Sequence, residues 1–132
     1  MTLIVPEHDQ LLPLSQYELD EIIERHEMFL RGQVGGARAT VKYRNLSYLN
    51  FSSRTLSQAD FTGSIFMESN LSNSTFIGSI FFACDLRNAD MQGGNFSRAD
   101  FRGAYVAGAN LSGANLSEID LREGKIMKRG ED

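Results

Sequence analysis

Apolar side chains recur at every fifth position along most of this chain. They run Leu46, Phe51, Leu56, Phe61, Phe66, Leu71, Phe76, Phe81, Leu86, Met91, Phe96, Phe101, Val106, Leu111, Leu116, Leu121 and Ile126, with no insertion and no polar exception. Neither regular element supports that period. A helix advances about 100° per residue, so successive fifth residues scatter around its axis, and an odd period alternates between the two faces of a strand. The backbone must therefore turn once per unit. If each unit turns the chain by about a right angle, about four units close a square coil in which every central residue points to the axis, and the pattern predicts a solenoid.

The flanking columns agree. Two residues before the central apolar stand Ala59, Ser64, Ser69, Ser74, Ser79, Cys84, Ala89, Gly94, Ala99, Ala104, Ala109 and Ala114, all small. Small side chains there let a corner enter a narrow interior beside a bulky Phe or Leu. One residue before the centre Asn or Asp dominates (Asp60, Asn70, Asp85, Asp90, Asn95, Asp100, Asn110, Asn115, Asp120), and Gly recurs two after it at Gly63, Gly78, Gly93, Gly103, Gly108 and Gly113. Both are turn residues. The units "ADFRG", "ANLSG" and "ANLSE" resemble the A(D/N)LxX pattern of the pentapeptide-repeat family, over roughly Arg44 to Lys128. That resemblance implies a right-handed quadrilateral β-helix. The expected fold class is therefore an all-β solenoid of about four coils, about 20 Å tall at an inter-strand spacing of about 4.8 Å.

Ahead of the repeats, "LSQYELDEIIERHEMFLRG" predicts a helix with Ser15 as N-cap, Glu18 completing a capping box, Leu14 stapled onto Leu19, and Gly32 as the stop. Leu19, Ile22, Ile23, His26, Phe29 and Leu30 form one apolar stripe, which needs a partner. The open first coil of a solenoid supplies one, so the helix is expected to be its cap. In that coil Arg44, Leu49 and Arg54 stand where small residues belong, so its corners should be rebuilt around the helix. The expected organisation is a leader (1–14), a capping helix (15–31), a connector (32–43), the β-helix (44–128) and a tail (129–132).

At the other end "REGKIMKRGED" is short and charged, and no second cap is expected there. An open β-helix end carries apolar surface and unpaired backbone edges, which end-to-end dimerisation removes. The family resemblance implies a homodimer of that kind. Leu121, Ile126 and Met127 are the candidate C-terminal dimer end, unless Lys125, Lys128 and Arg129 fold over it.

Between Phe61 and Leu86 the chain carries apolar residues that the repeat does not require. Ile65, Met67, Ile77, Ile80 and Phe82 occupy columns held elsewhere by Ser, Thr, Asn, Asp and Arg, and Tyr105 lies one coil beyond Asp85 on the side of Ile65. All are expected to face outward. Leaving such side chains in water forgoes about 1.5–3 kcal/mol each, which marks a candidate patch for an unknown protein partner. Two other readings stay open: laddering of β-branched and aromatic residues on a sheet face, or cover by the helix folded down the side of the rod.

Charge narrows the function further. The formal net charge is −4, yet between residues 41 and 128 eight acids (Asp60, Glu68, Asp85, Asp90, Asp100, Glu118, Asp120, Glu123) meet nine bases (Lys42, Arg44, Arg54, Arg87, Arg98, Arg102, Arg122, Lys125, Lys128). Some members of the family resemble duplex DNA in shape and acidity and bind DNA gyrase. A near-neutral rod is a poor mimic, so a gyrase or topoisomerase modulator is the alternative function rather than the first. No basic stripe with interleaved aromatics points to nucleic acid, and no apolar run of about 20 residues points to a membrane.

Candidate catalytic chemistry is sparse. The repeat Asp residues belong to a turn column on a convex rod, and "GQVGGAR" follows its helix, whereas a phosphate loop precedes one. His26 falls on or beside the apolar stripe and His8 in the leader, so no zinc-ligand spacing arises. Cys84 occupies an inward column and should be an inert thiol, and a single cysteine fits a reducing cytoplasm. The Asn-x-Ser/Thr triplets follow from the repeat itself. The reading is a non-catalytic protein-interaction module without cofactor, metal or catalytic residues.

Overall fold

The structure of the protein is a computed structural model, and it describes residues 10–122. Parallel β-bridges link residues twenty apart, from Thr40 with Asp60 to Asp100 with Asp120, so about four five-residue units make one coil. Four ladders result. They run through Thr40, Asp60, Ile80, Asp100 and Asp120; through Asn45, Ile65, Asp85 and Tyr105; through Asn50, Asn70, Asp90 and Asn110; and through Thr55, Thr75, Asn95 and Asn115. Each side of the coil is a single bridging residue between turns, and among the described residues no longer strand forms. Units within the rod bond to both neighbouring coils: the Ile65 amide donates to Arg44 O at 3.0 Å, and the Leu46 amide donates to Ile65 O at 2.7 Å.

Corners explain the five-residue grammar. The position two after each centre has a positive φ from Tyr43 to Glu118, and ten of these positions carry a side chain while the rest are glycine. With the amide of the next residue donating back to the centre, as Ser64 N does to Phe61 O at 3.0 Å, the geometry is a type II turn. Asn or Asp ahead of the centre supports it. Asp60 Oδ1 accepts the Thr62 amide at 3.0 Å, and Asn95, Asn110 and Asn115 hold the amides of Ser97, Ser112 and Ser117 in the same way.

Inside the coil, rings from successive turns stack. Phe76 lies on Phe96 at 5.3 Å and Phe81 on Phe101 at 5.1 Å, and Phe81 also meets Phe61, Phe66 and Phe76 within 5.6 Å. Space beside the rings is scarce. A Cβ on Gly94 would stand 2.5 Å from Phe96 Cε2. Where the small column is polar it is also satisfied: Ser64, Ser69, Ser74 and Ser79 donate their hydroxyls to the carbonyls of Val41, Leu46, Phe51 and Leu56 in the coil below, and the Cys84 thiol donates to Phe61 O at 3.0 Å. These inward hydroxyls therefore cost the core no unpaired polar group.

The helix α1 spans Gln16–Leu30, with Ser15 as N-cap and the capping box with Glu18 complete. Gly32 follows it at φ 70°. Leu19, Ile23 and His26 are buried against the first coil, with Ile22 partly buried beside them. The departures in that coil reach for the cap: Arg44 donates to the carbonyls of Leu12 and Pro13, Arg54 pairs with Glu27 at 2.9 Å, and Leu49 packs on the core. Burial relaxes toward the other end, where Val106, Leu111 and Leu116 are partly buried and Leu121 is 68% exposed.

Two outcomes follow from this core. Phe81→Ala removes the ring that its neighbours stack on and should destabilise the protein by about 3–5 kcal/mol in urea denaturation. Burial pushes the Cys84 thiol well above its ordinary pKa. The native protein should therefore leave a thiol reagent unreacted until denaturant opens the coil, and prompt native labelling would contradict the inward placement of Cys84.

Candidate functional site

One flank of the rod gathers the unusual side chains. It is the Asn45, Ile65, Asp85 and Tyr105 ladder with the corners on either side of it, and Pro13 adds a further parallel rung beneath Asn45. The lower rim carries Leu12, Tyr43 and Tyr48, exposed by 73%, 55% and 72%. Both tyrosines sit at left-handed corners, with φ 55° and 66°. A side chain there costs about 1–2 kcal/mol relative to the ordinary helical region, which is why glycine is common at such positions. The Tyr43 ring packs against Gly63 and leaves no room for a Cβ there. Higher on the same flank come half-buried Met67, Phe82 and Tyr105.

The expected patch is thus regrouped. Ile65 was expected to face solvent, and instead it is fully buried, because it lies mid-ladder between Asn45 and Asp85 with neighbours stacked in register above and below. Met67, Ile77, Ile80, Phe82 and Tyr105 are half-buried rather than exposed. Ile77 follows Thr75, on the side of the coil opposite Ile65, and Ile80 lies on the neighbouring side between Asp60 and Asp100. The helix covers none of this flank through the hydrogen bonds it makes, which go to Asn50, Arg54, Thr55 and Ser57 of the first coil. Phe82 is shielded by Arg102, whose guanidinium carbon stands 5.1 Å from the ring centroid. Tyr43 and Tyr48 were not anticipated. Their signal in the sequence is an aromatic residue two after a centre, where Gly, Asn and Ser are usual.

Charges on the rod neutralise one another locally. Asp85 is fully buried and bonded by Arg87 at 2.8 Å and 2.9 Å, Asp100 is bonded by Arg102 in the same way, and Lys42 meets Asp60 at 3.5 Å. The Arg122 hydrogen bonds hold Asp120 down to about 2, so it stays ionised and paired at neutral pH. Of the candidate C-terminal dimer end, Leu121 is exposed, while Ile126 and Met127 lie outside the described residues, as does His8. Among the described residues, no group of three or more His, Cys, Asp or Glu could hold a metal ion. No helix among them is long and apolar enough to cross a membrane. A depression lined by Ile22, Arg25, Ala37, Arg38, Ala39 and Thr40 borders the cap, and its lining offers no carboxylate or imidazole beside the Thr40 hydroxyl.

Comparison with known proteins bears on the fold first. A family model described as Pentapeptide repeats matches residues 45–81 and 79–117 in eight copies, which together span more than half of the chain. No curated protein matches. Among solved structures, a pentapeptide repeat protein of the Arabidopsis thaliana thylakoid lumen is 33% identical over 62% of this chain and 61% of its own, with a TM-score of 0.56. This chain thus spans less than two thirds of that relative. A pentapeptide repeat protein from Nostoc is 23% identical over 80% of this chain and 77% of its own, with a TM-score of 0.62, and shows the fold alone. The two likenesses imply the right-handed quadrilateral β-helix. A variant of QnrB1, a plasmid-mediated fluoroquinolone resistance protein, matches at 25% identity over 59% of this chain and 53% of its own with a TM-score of 0.40, too loosely to carry an argument.

Proposed function

The chain belongs to the pentapeptide-repeat family, and on that premise we propose that it is a non-catalytic protein-interaction module whose contact surface is the flank built on the Asn45, Ile65, Asp85 and Tyr105 ladder. The observation that carries this reading is the exposure of Tyr43 and Tyr48 at left-handed corners, where ten side-chain-bearing positions include no other aromatic. The left-handed turn itself does not require an aromatic, since Ser53 adopts the same φ. Tyr rings suit protein contacts because they bury a large area at low conformational cost and keep a polar end. The partner surface is apolar and of low net charge, since Asp85 and Asp100 are already matched by Arg87 and Arg102. The same pairing counts against a DNA-mimic modulator of gyrase, which needs free carboxylates along one face. A reducing cytoplasm remains the compartment that a single buried Cys84 suits.

Leu121, 68% exposed on the last described coil, supports a second contact: a homodimer through the C-terminal coil. Sedimentation should then show a dimer that Leu121→Glu weakens at least tenfold, and a wild-type monomer at high concentration removes this reading.

For the flank, Tyr43→Ser with Tyr48→Ser should abolish capture of the partner from native lysate while the rod remains folded. Ile77→Ser, on the opposite side, should leave capture intact. Undiminished capture by the tyrosine double variant would place the contact elsewhere.

A further inference from the structure

One titratable side chain holds three separate elements together. His26 projects from α1, is fully buried, and bonds the backbone through both ring nitrogens. Its Nδ1 accepts the Ala39 amide of the connector at 2.8 Å, which leaves Nε2 to carry the proton and donate to Ser57 O of the first coil at 2.7 Å. Only the neutral ring satisfies both partners. A proton on Nδ1 would set N–H against N–H, leave the Ala39 amide without an acceptor, and bury a charge.

We infer that His26 is a proton-sensitive latch that releases the N-terminal cap, α1 with the connector, from the first coil while the rod stays folded. The charged surroundings favour the neutral ring. From the connector, Arg38 donates to Gln58 O at 2.6 Å, next to Ser57, and opposes a second positive charge. On α1 itself Glu27 acts in the opposite direction, but it is engaged by Arg54 and the Thr55 amide of the coil. Phe29, 5.6 Å away, closes an apolar side. Burial lowers the His26 pKa below its ordinary value of 6.5. For a base depressed in this way the closed state is favoured in full above about pH 6.5 and loses that advantage as pH falls toward the folded value. Release uncovers Leu46, Phe51 and Leu56 together with the edge amides of Asn50 and Thr55, so an end that is sealed at neutral pH becomes an apolar pairing edge in acid.

Hydrogen exchange of the full chain between about pH 5 and 6.5, corrected for intrinsic amide rates, reads the latch directly. The linked proton means that protection of the α1 amides should fall as pH drops through this window, by up to about tenfold per pH unit. Those amides should also exchange at least tenfold faster than the Phe76 and Phe81 amides, which marks an opening smaller than global unfolding. His26→Gln, a neutral side chain of similar reach, should flatten the pH dependence, whereas His8→Gln should leave it unchanged. If His26→Gln does not fold, the wild-type imidazole titration followed by NMR replaces it, and its apparent midpoint must coincide with loss of α1 protection. A pH-independent α1 in wild type, the same slope in His26→Gln, or equal protection of α1 and the Phe76 and Phe81 amides would each overturn the latch.

Discussion

Apart from the bonds that close its corners, the backbone groups of this solenoid pair with residues about twenty positions away, so each coil depends on the next one. The middle of the rod meets that condition by repetition, as the Ile65 amide reaching Arg44 O and the Leu46 amide reaching Ile65 O illustrate. The first coil has no coil below it. An unpaired buried amide or carbonyl costs about 1–3 kcal/mol, and a coil end presents several at once. The protein answers on all four sides with different chemistry. Leu12 and Leu14 supply a rung of true backbone to Asn45, Ala39 and Val41 do so for Asp60, the Gln16 side-chain amide imitates a peptide group against Asn50, and a Glu27 carboxylate oxygen accepts the Thr55 amide. His26 fills the remaining corner at Ser57.

The cap is therefore more than an apolar plug. Leu19 and Ile23 cover the end of the phenylalanine stack, but an apolar cover alone would seal off the edge groups from water without replacing it. Helix position is fixed by the polar contacts, since Gln16, Glu27 and His26 lie along one helix and must meet the Asn50 side, the Thr55 side and the Ser57 corner. That requirement explains why Arg54 stands where later coils hold Ser, Ala or Gly. Its guanidinium orients Glu27 toward the Thr55 amide.

Much of this was legible in the sequence. The phase of the repeat, the turn residues before and two after each centre, the Ser15 capping box and the packing of α1 against the first coil all follow from local patterns, and local patterns are what a single sequence displays. What escaped depended on pairs twenty or more residues apart. Ile65 reads as exposed by its column and is buried by its neighbours in the ladder. Ser64, Ser69, Ser74 and Ser79 read as small, yet each hydroxyl also closes a carbonyl of the coil below. Met67, Phe82 and Tyr105 became one flank with Tyr43 and Tyr48 only once the register was known, while Ile77 left it. His26 was recognisable as packed, but its two backbone partners lie in elements that the sequence does not bring together.

Edge satisfaction ties fold to function, because a first coil that is closed at neutral pH leaves the rod's side and its C-terminal coil as the surfaces available for contact. The most direct measurement is amide hydrogen exchange of wild-type protein at neutral pH, resolved by NMR for Asn45, Asn50, Thr55 and Asp60. The account predicts protection of these four within about tenfold of their ladder partners Ile65, Asn70, Thr75 and Ile80, since all are closed by bonds of comparable length. Exchange of Asn50 or Thr55 at the rate of a free amide would show that side chains of α1 do not replace the missing coil.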